Sequence, residues 1–543
     1  MGRAFQLRNR MPALRLKLCN NNASTLFLSA NFLFMPSLRY IKKILSASVY
    51  DVALETPLDF ARALSSRTQN AIFLKREDLQ SVFSFKLRGA YNKMALLSED
   101  EKKRGVIAAS AGNHAQGVAL SAQKLGINAL IVMPTTTPEI KIQSVKAMGA
   151  DIVLFGDSYS ESCEHAYELV KKEGRVFIHP YDDEDVIAGQ GTVAMEILRQ
   201  HTGKIHAIFV PVGGGGLIAG VAVYAKFVRP DIKIIGIEPD DSDCLKQALD
   251  AGNRVVLEQV GLFADGVAVK QIGAEPFELA KKYVDEVITV STDEICAAIK
   301  DIFDDTRSIA EPAGALATAG LKKYIERENV TGQTLIAIDS GANMNFDRLR
   351  YVAERAQVGE YREILLAVTI SEIAGSFLEF CRLLNGRNIT EFNYRYFDDN
   401  NAQVFAGISS SGNVKDRAAL IADLQTQGFN VVDMTANDLS KEHIRYMVGG
   451  HSPCELNEVI YSVEFPERPN ALLNFLTKLN GRWNISLFHY RNHGAAFGKV
   501  LMGLQIEAEQ QAEFHACLNE LGFNYQNETN NPAYQLFLGG QTR

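Results

Sequence analysis

A chain of 543 residues, 47% hydrophobic and 22% charged, excludes wholesale disorder and has material for roughly three or four domains. It contains no run of ~20 apolar residues, so no membrane-spanning helix and no membrane partner are expected. The net charge of −8 hides an asymmetry: residues 1–50 carry eight basic residues and no acid, which leaves −16 on the remainder. Such an acidic body argues against nucleic acid as a partner. Seven scattered cysteines form no CxxC pair. That disfavours a disulfide framework and a zinc finger, and favours a reducing compartment.

The basic head has three readings. Arg-rich, Ser-containing and acid-free describes an organellar transit peptide. A basic segment ahead of Leu26–Phe34 also has the outline of a secretory signal. The preferred reading is an extension over residues 1–37, with the true start at or near Met35, which leaves a cytoplasmic protein; import into an organelle is the alternative.

From about residue 50 to 350 apolar strands alternate with helices. Ala71–Leu74, Gly105–Ala109, Ala129–Met133, Ile152–Phe155, Ala207–Val212, Ile232–Ile237 and Thr334–Ile338 read as buried strands. This pattern predicts a mostly parallel sheet covered on both faces. Ligands of such sheets sit at the carboxyl ends of the strands. Glu354–Glu363 is polar and reads as a linker. Beyond it lies a duplication: Glu372–Arg395 and Glu467–Arg491 share 12 of 24 aligned positions. Each copy reads as strand, helix, an Asn-Gly-Arg stop and an alternating strand, with Phe392, Tyr394 and Tyr396 on one sheet face.

Four segments carry chemistry. Gly213, Gly214, Gly215 and Gly216, followed by Leu217, come after a strand and open an apolar helix. Exposed backbone N–H groups at a helix N-terminus read as a phosphate cradle. No Lys-Ser or Lys-Thr follows, so a nucleoside-triphosphate loop is disfavoured, and the match to a dinucleotide loop is loose. Lys86, in Ser-Phe-Lys-Leu-Arg-Gly-Ala, stands in an apolar frame where desolvation favours the neutral amine that Schiff-base chemistry needs. Ser110, Ala111, Gly112 and Asn113 form a small-residue loop suited to a carboxylate. Ser340, in Asp-Ser-Gly-Ala-Asn, stands at a strand's carboxyl end. His114 reads as a structural helix-start residue.

Together these segments resemble the pyridoxal-phosphate enzymes of fold type II, the two-lobed α/β fold of the tryptophan-synthase β-subunit. Within that fold the chain is similar to the biosynthetic threonine dehydratases. The strings Lys75–Asp78, Gly261–Lys270 and Ala310–Ala315 fit the same family, and Tyr446–Gly450 with the paired repeats resembles its two α+β ACT-like regulatory modules. The resemblance implies a catalytic region over 38–355 and modules over 363–436 and 458–530. It implies pyridoxal 5′-phosphate held by Lys86, with its phosphate at Gly213–Gly216 and Leu217. Asn113 would meet the ring's 3′ oxygen, Ser340 the ring nitrogen, and the Ser110–Asn113 loop the substrate carboxylate. The implied reaction is elimination of water from L-threonine, giving 2-oxobutanoate and ammonia, with L-serine as a second substrate. Isoleucine would inhibit and valine activate, in a homotetramer. Serine racemase, diaminopropionate lyase and threonine synthase share the cofactor loops and remain rival activities. A divalent-ion site of some relatives begins at a Glu-Pro pair, here Glu238-Pro239, and ends where this chain has Cys244; no metal is expected, and the segment reads as a solvated acidic turn.

Overall fold

The computed structural model describes residues 35–371, 380, 383–384, 387, 389–396, 401–446, 458–466, 475, 478, 482–491 and 497–538. β1 (Leu58–Phe60) and β2 (Ala71–Arg76) start a large lobe. The chain then builds a small lobe from β3 (Val106–Ala109), β4 (Ala129–Met133), β5 (Asp151–Leu154) and β6 (Val176–Phe177). It returns through β7 (Ala207–Pro211), β8 (Lys233–Pro239), β9 (Glu286–Val290) and β10 (Thr334–Asp339). The large sheet runs β1-β2-β10-β7-β8-β9, parallel except for β1; the small one runs β5-β4-β3-β6, all parallel.

Every residue of β3, β4 and β7 is buried, which is why these strands read as unbroken apolar runs. Alternate residues of β10 feed two cores: Leu335 and Ala337 enter one, Ile336 and Ile338 the other. The Met35–Leu45 helix adds Tyr40 and Ile41 against Ile187, Ala219 and Val223. The helix begins inside the extension expected over 1–37, and its Tyr40 and Ile41 have this apolar surface to cover.

The linker expected at Glu354–Glu363 is instead occupied by the Arg348–Gly359 helix and the start of a strand. Val352 and Ala356 join the large-lobe core, and Arg355 is buried. The polar pattern misled because its charges are spent on buried partners rather than on water.

The tail has two sheets. The first, from β11 (Glu363–Ser371), β12 (Ile389–Tyr396), β13 (Asn401–Ser409) and β14 (Asn430–Asp433), runs β12-β13-β11-β14. The second, from β15 (Glu458–Pro466), β16 (Asn484–Arg491), β17 (Phe497–Gln505) and β18 (Tyr525–Asn527), runs β16-β17-β15-β18. Both are antiparallel, and both carry a register shift at the same place, between Ile389 and Glu391 and between Ile485 and Leu487. The duplication is therefore one of fold, down to a bulge. Leu366, Val368 and Ile370 of β11 face their own module's core, while Leu365 and Ala367 face the second module. The space between the modules is filled by Leu439 and Ile444 after β14, and by Ala533, Tyr534 and Phe537 after β18. The helix segments after β11 and β15, the Asn-Gly-Arg stops, the side chains of Phe392, Tyr394 and Tyr396, and Met447–Gly450 fall mostly or wholly outside the described residues.

Candidate active site

Lys86 is the first residue of the Lys86–Ala95 helix, which packs against the small lobe. The helix is pinned by Arg88, two residues on. The Arg88 guanidinium is completely buried and donates to Glu77 and Glu196 at 2.7 and 2.6 Å, while Lys75 donates to Glu196 at 2.6 Å. Two cations and two carboxylates thus balance where this helix meets the large lobe. Burial pulls the Lys75 amine down, and Arg88 and Lys75 hold the Glu77 carboxyl low against the upward pull of burial. Lys75–Asp78 and the segment around Lys86 are thus two walls of one charge cluster.

The Lys86 amine donates to the Pro180 carbonyl at 3.2 Å. Burial lowers its pKa to about 8, and the nearby Glu311 carboxyl works in the opposite direction. The desolvation expected from the sequence is therefore present.

The glycine run joins β7 to the Gly216–Val228 helix. Gly215 has φ +89°, which disfavours a side chain, and a Cβ on Gly214 would lie 2.1 Å from the Tyr181 ring. Lys86, Asn113, Gly213, Gly214, Gly215, Gly216, Leu217 and Ser340 all line one cleft, so the structure gathers every residue expected to hold a cofactor. The Ser340 hydroxyl is buried and donates to the Ala313 carbonyl at 3.3 Å. An adjoining cavity of about 190 Å³ is lined by Lys86, Ser110, Ala111, Gly112 and Asn113. The Gly112 N–H donates to the Ser110 hydroxyl at 3.2 Å, closing the loop at the start of the Asn113–Leu125 helix. The cleft has side-chain-free backbone for a phosphate, and Lys86 stands at its junction with the cavity.

His114 is buried, with Nε2 2.8 Å from the Ile178 carbonyl oxygen; burial drives its pKa to about 3, so it is a neutral structural residue. Glu238 is not part of a solvated turn. It is completely buried and accepts the Leu245 and Lys246 N–H groups at 2.9 Å each, at the start of the Cys244–Ala251 helix. Burial raises its pKa to about 8, and the Cys244 sulfur contacts both its Oε1 and the Gly213 carbonyl. Asp240 and Asp241 are exposed, which is the part of the segment that reads as solvated.

Sequence reasoning assigned no role to Glu311, Asn343, Asp265 or Tyr181, although the first three lie in quoted motifs. Glu311 and Asp265 line the cavity, and Asn343 donates to Asn113 at 2.7 Å. Asp265 accepts from Lys141 of the small lobe at 2.8 Å and pairs with Arg348 at 3.3 Å. Against the upward pull of burial, those two cations hold its carboxyl well below the usual range. Arg348 also donates to the Phe263 carbonyl at 2.9 Å.

Arg348 begins the Arg348–Gly359 helix, and Arg355, about two turns further on, enters the tail. Arg355 bonds Asp293 of the large lobe, Asp438 at 2.6 Å and Glu442 at 3.2 Å in the first module. Lys441 reaches Asp293 at 2.7 Å, and Lys499 of the second module reaches Glu442 at 3.5 Å. A wider cleft of about 600 Å³ outside the site is lined by Lys141, Asp265 and Arg348, and also by Glu464, Phe497 and Asn524 of the second module.

Residues 49–341 match the family of pyridoxal-phosphate dependent enzymes. Residues 354–444 and 450–538 each match the C-terminal regulatory domain of threonine dehydratase. The L-threonine dehydratase biosynthetic IlvA of Burkholderia multivorans is 57% identical over 507 residues, 93% of this chain and 100% of the relative. That of Escherichia coli is 53% identical over 501 residues, 92% of this chain and 97% of the relative. Among solved structures, the processed form of threonine deaminase isoform 2 from Solanum lycopersicum superposes with TM-score 0.58 at 51% identity, covering 59% of this chain and 93% of that one.

Proposed function

Because the chain belongs to the biosynthetic threonine dehydratases of the pyridoxal-phosphate dependent family, we propose that it deaminates L-threonine to 2-oxobutanoate and ammonia. The observation that carries this reading is the convergence of a desolvated lysine, a side-chain-free glycine loop, an asparagine and a serine on one cleft. L-serine offers the same β-hydroxyl and is the second substrate we expect.

Pyridoxal phosphate, when bound, supplies the electron sink that acidifies the substrate's Cα–H and lets the β-hydroxyl depart. The protein does the rest. Gly213–Gly216 and Leu217 would offer N–H groups to the phosphate at a helix start. Asn113 would orient the 3′ oxygen. Ser340, a neutral hydroxyl, would face the ring nitrogen and stabilise no charge there, which limits side reactions that need a fuller carbanion. The Ser110–Asn113 loop would fix the substrate carboxylate. The Lys86 amine, with a pKa near the working pH, would take the Cα proton. Lys86→Ala should abolish both cofactor attachment and turnover, with the visible absorption band as the first readout.

We further propose that residues 363–436 and 458–530 are effector-binding modules that take isoleucine as inhibitor and valine as activator, within a homotetramer. The route available for coupling is the Arg348–Gly359 helix. One end grips the loop around Asp265 and the other sits in the charge cluster of the modules. An effector must bind the two conformations of this unit unequally to alter turnover. The decisive assay is 2-oxobutanoate release from threonine by the full chain, with and without isoleucine; absence of product overturns the activity, and indifference to isoleucine overturns the regulation. We place the reaction in the cytoplasm. Intact mass of the purified protein reads whether residues 1–37 are retained.

A further inference from the structure

Glu311 lines both the cofactor cleft and the substrate cavity. It stands at the start of the Pro312–Glu328 helix, where a side-chain oxygen ordinarily caps the first N–H groups, yet it makes no cap bond. Its carboxyl turns away and accepts from the Asn113 amide nitrogen at 2.6 Å. The Asn113 amide oxygen in turn accepts from Asn343 at 2.7 Å, and the same Asn343 nitrogen donates to the Val82 carbonyl at 2.8 Å. Both ends of Asn113 are thereby claimed. A flipped amide would set its oxygen against the Glu311 carboxylate and its nitrogen against the Asn343 nitrogen, so only one orientation is compatible with the network. The Glu311 carboxyl lies in room that Gly341 leaves free: a Cβ there would fall 2.6 Å from its Oε1. Its N–H donates to the Gly341 carbonyl at 3.0 Å, which ties it to the loop that carries Ser340.

We propose that Glu311 is a positioning residue for the elimination: it presents the N–H of Asn113 to the cofactor's 3′ oxygen, and its negative charge favours a protonated nitrogen at Lys86. The inference rests on the reading that Lys86 and Asn113 hold the cofactor. The charge half agrees with the electrostatics of the site, where burial and then Asp265 raise the Glu311 pKa to about 7 while Glu311 pulls that of Lys86 upward. Near neutral pH the carboxyl is within reach of either state, so its proton is linked to that of the lysine nitrogen.

Two substitutions separate the halves. Glu311→Gln keeps an acceptor for Asn113 and removes the charge. Asn343→Asp keeps the charge at Glu311 and removes the donor that orients Asn113. The visible band of the lysine-linked cofactor is titrated against pH in the purified holoenzyme, and cofactor retention is followed on dilution. Glu311→Gln should retain cofactor as the parent does, while the midpoint of the band falls by about one pH unit, the size expected for loss of one nearby opposite charge. Its kcat should fall about tenfold or more with KM for threonine nearly unchanged, the mark of an interaction made in the transition state. Asn343→Asp should instead weaken retention about tenfold without lowering the midpoint. An unshifted midpoint in Glu311→Gln overturns the charge half, whatever happens to kcat. Parental retention in Asn343→Asp overturns the orienting half. Failure of the underlying reading looks different: the visible band would then persist in Lys86→Ala.

Discussion

Two buried charge clusters use the same chemistry to opposite ends. The first, Lys75, Glu77, Arg88 and Glu196, is sealed between the Lys86–Ala95 helix and the large lobe. The second, Arg355, Asp293, Asp438, Lys441, Glu442 and Lys499, joins the large lobe to both tail modules. In the first all four side chains are fully buried, whereas in the second Asp438 is 64% exposed. Burying a balanced set of ions contributes little net stability, but removing one member leaves the others uncompensated. A sealed cluster therefore fixes a single geometry. One with a wet edge can rearrange, because water can take over a partner's role.

The sharpest way to test this contrast is to break the sealed cluster. Glu196→Ala leaves two cations with one carboxylate and should lower stability by about 3–5 kcal/mol, read as the shift of a denaturant midpoint. Cofactor and turnover should be lost together with the fold. Arg355→Met should behave differently: threonine turnover without effector stays within about twofold, while the isoleucine concentration needed for half-inhibition rises about tenfold or more. Equal loss of turnover and response in that variant would remove the distinction between the clusters.

Smaller effects come from buried groups that belong to neither cluster. Lys86 is desolvated with Glu311 as its counter-charge, so the rate at which apoprotein takes up added cofactor should rise with pH, with a midpoint of about 8. Glu238 is the smallest case. Its folded pKa is raised to about 8 by burial, so its contribution is present below the ordinary carboxylate range and is lost as pH rises through about 8. Glu238→Gln should flatten the decline in stability between about pH 6 and 8, measured by chemical denaturation at each pH.

Much of the site was legible because the chemistry is local in sequence. Lys86, Asn113, Gly213–Gly216 and Ser340 each sit in a short motif at a strand end or helix start, and a parallel sheet gathers its strand ends. Glu311 was in view but unassigned, since nothing in the sequence tells whether an acid before a helix caps it or turns inward. Glu354–Glu363 was misread as a linker because polarity signals water only when charges lack partners, and the partners of Arg355 lie far away in sequence. The bulge shared by the two tail sheets left no trace in composition; the fill between the sheets follows the last strand of each module and so fell outside the quoted repeats.

That fill has a consequence for how the tail can be altered. Ala533, Tyr534 and Phe537 are within about a dozen residues of the chain end, yet they pack with Leu365, Phe405, Ile460 and Leu501 from both modules. They act as a keystone between two arches. A premature stop near residue 530 would spare every catalytic motif and every strand of both sheets, yet open the seam between them. Such a truncated chain would emerge as an enzyme with its brake lining stripped and an apolar groove exposed for other chains to stick to.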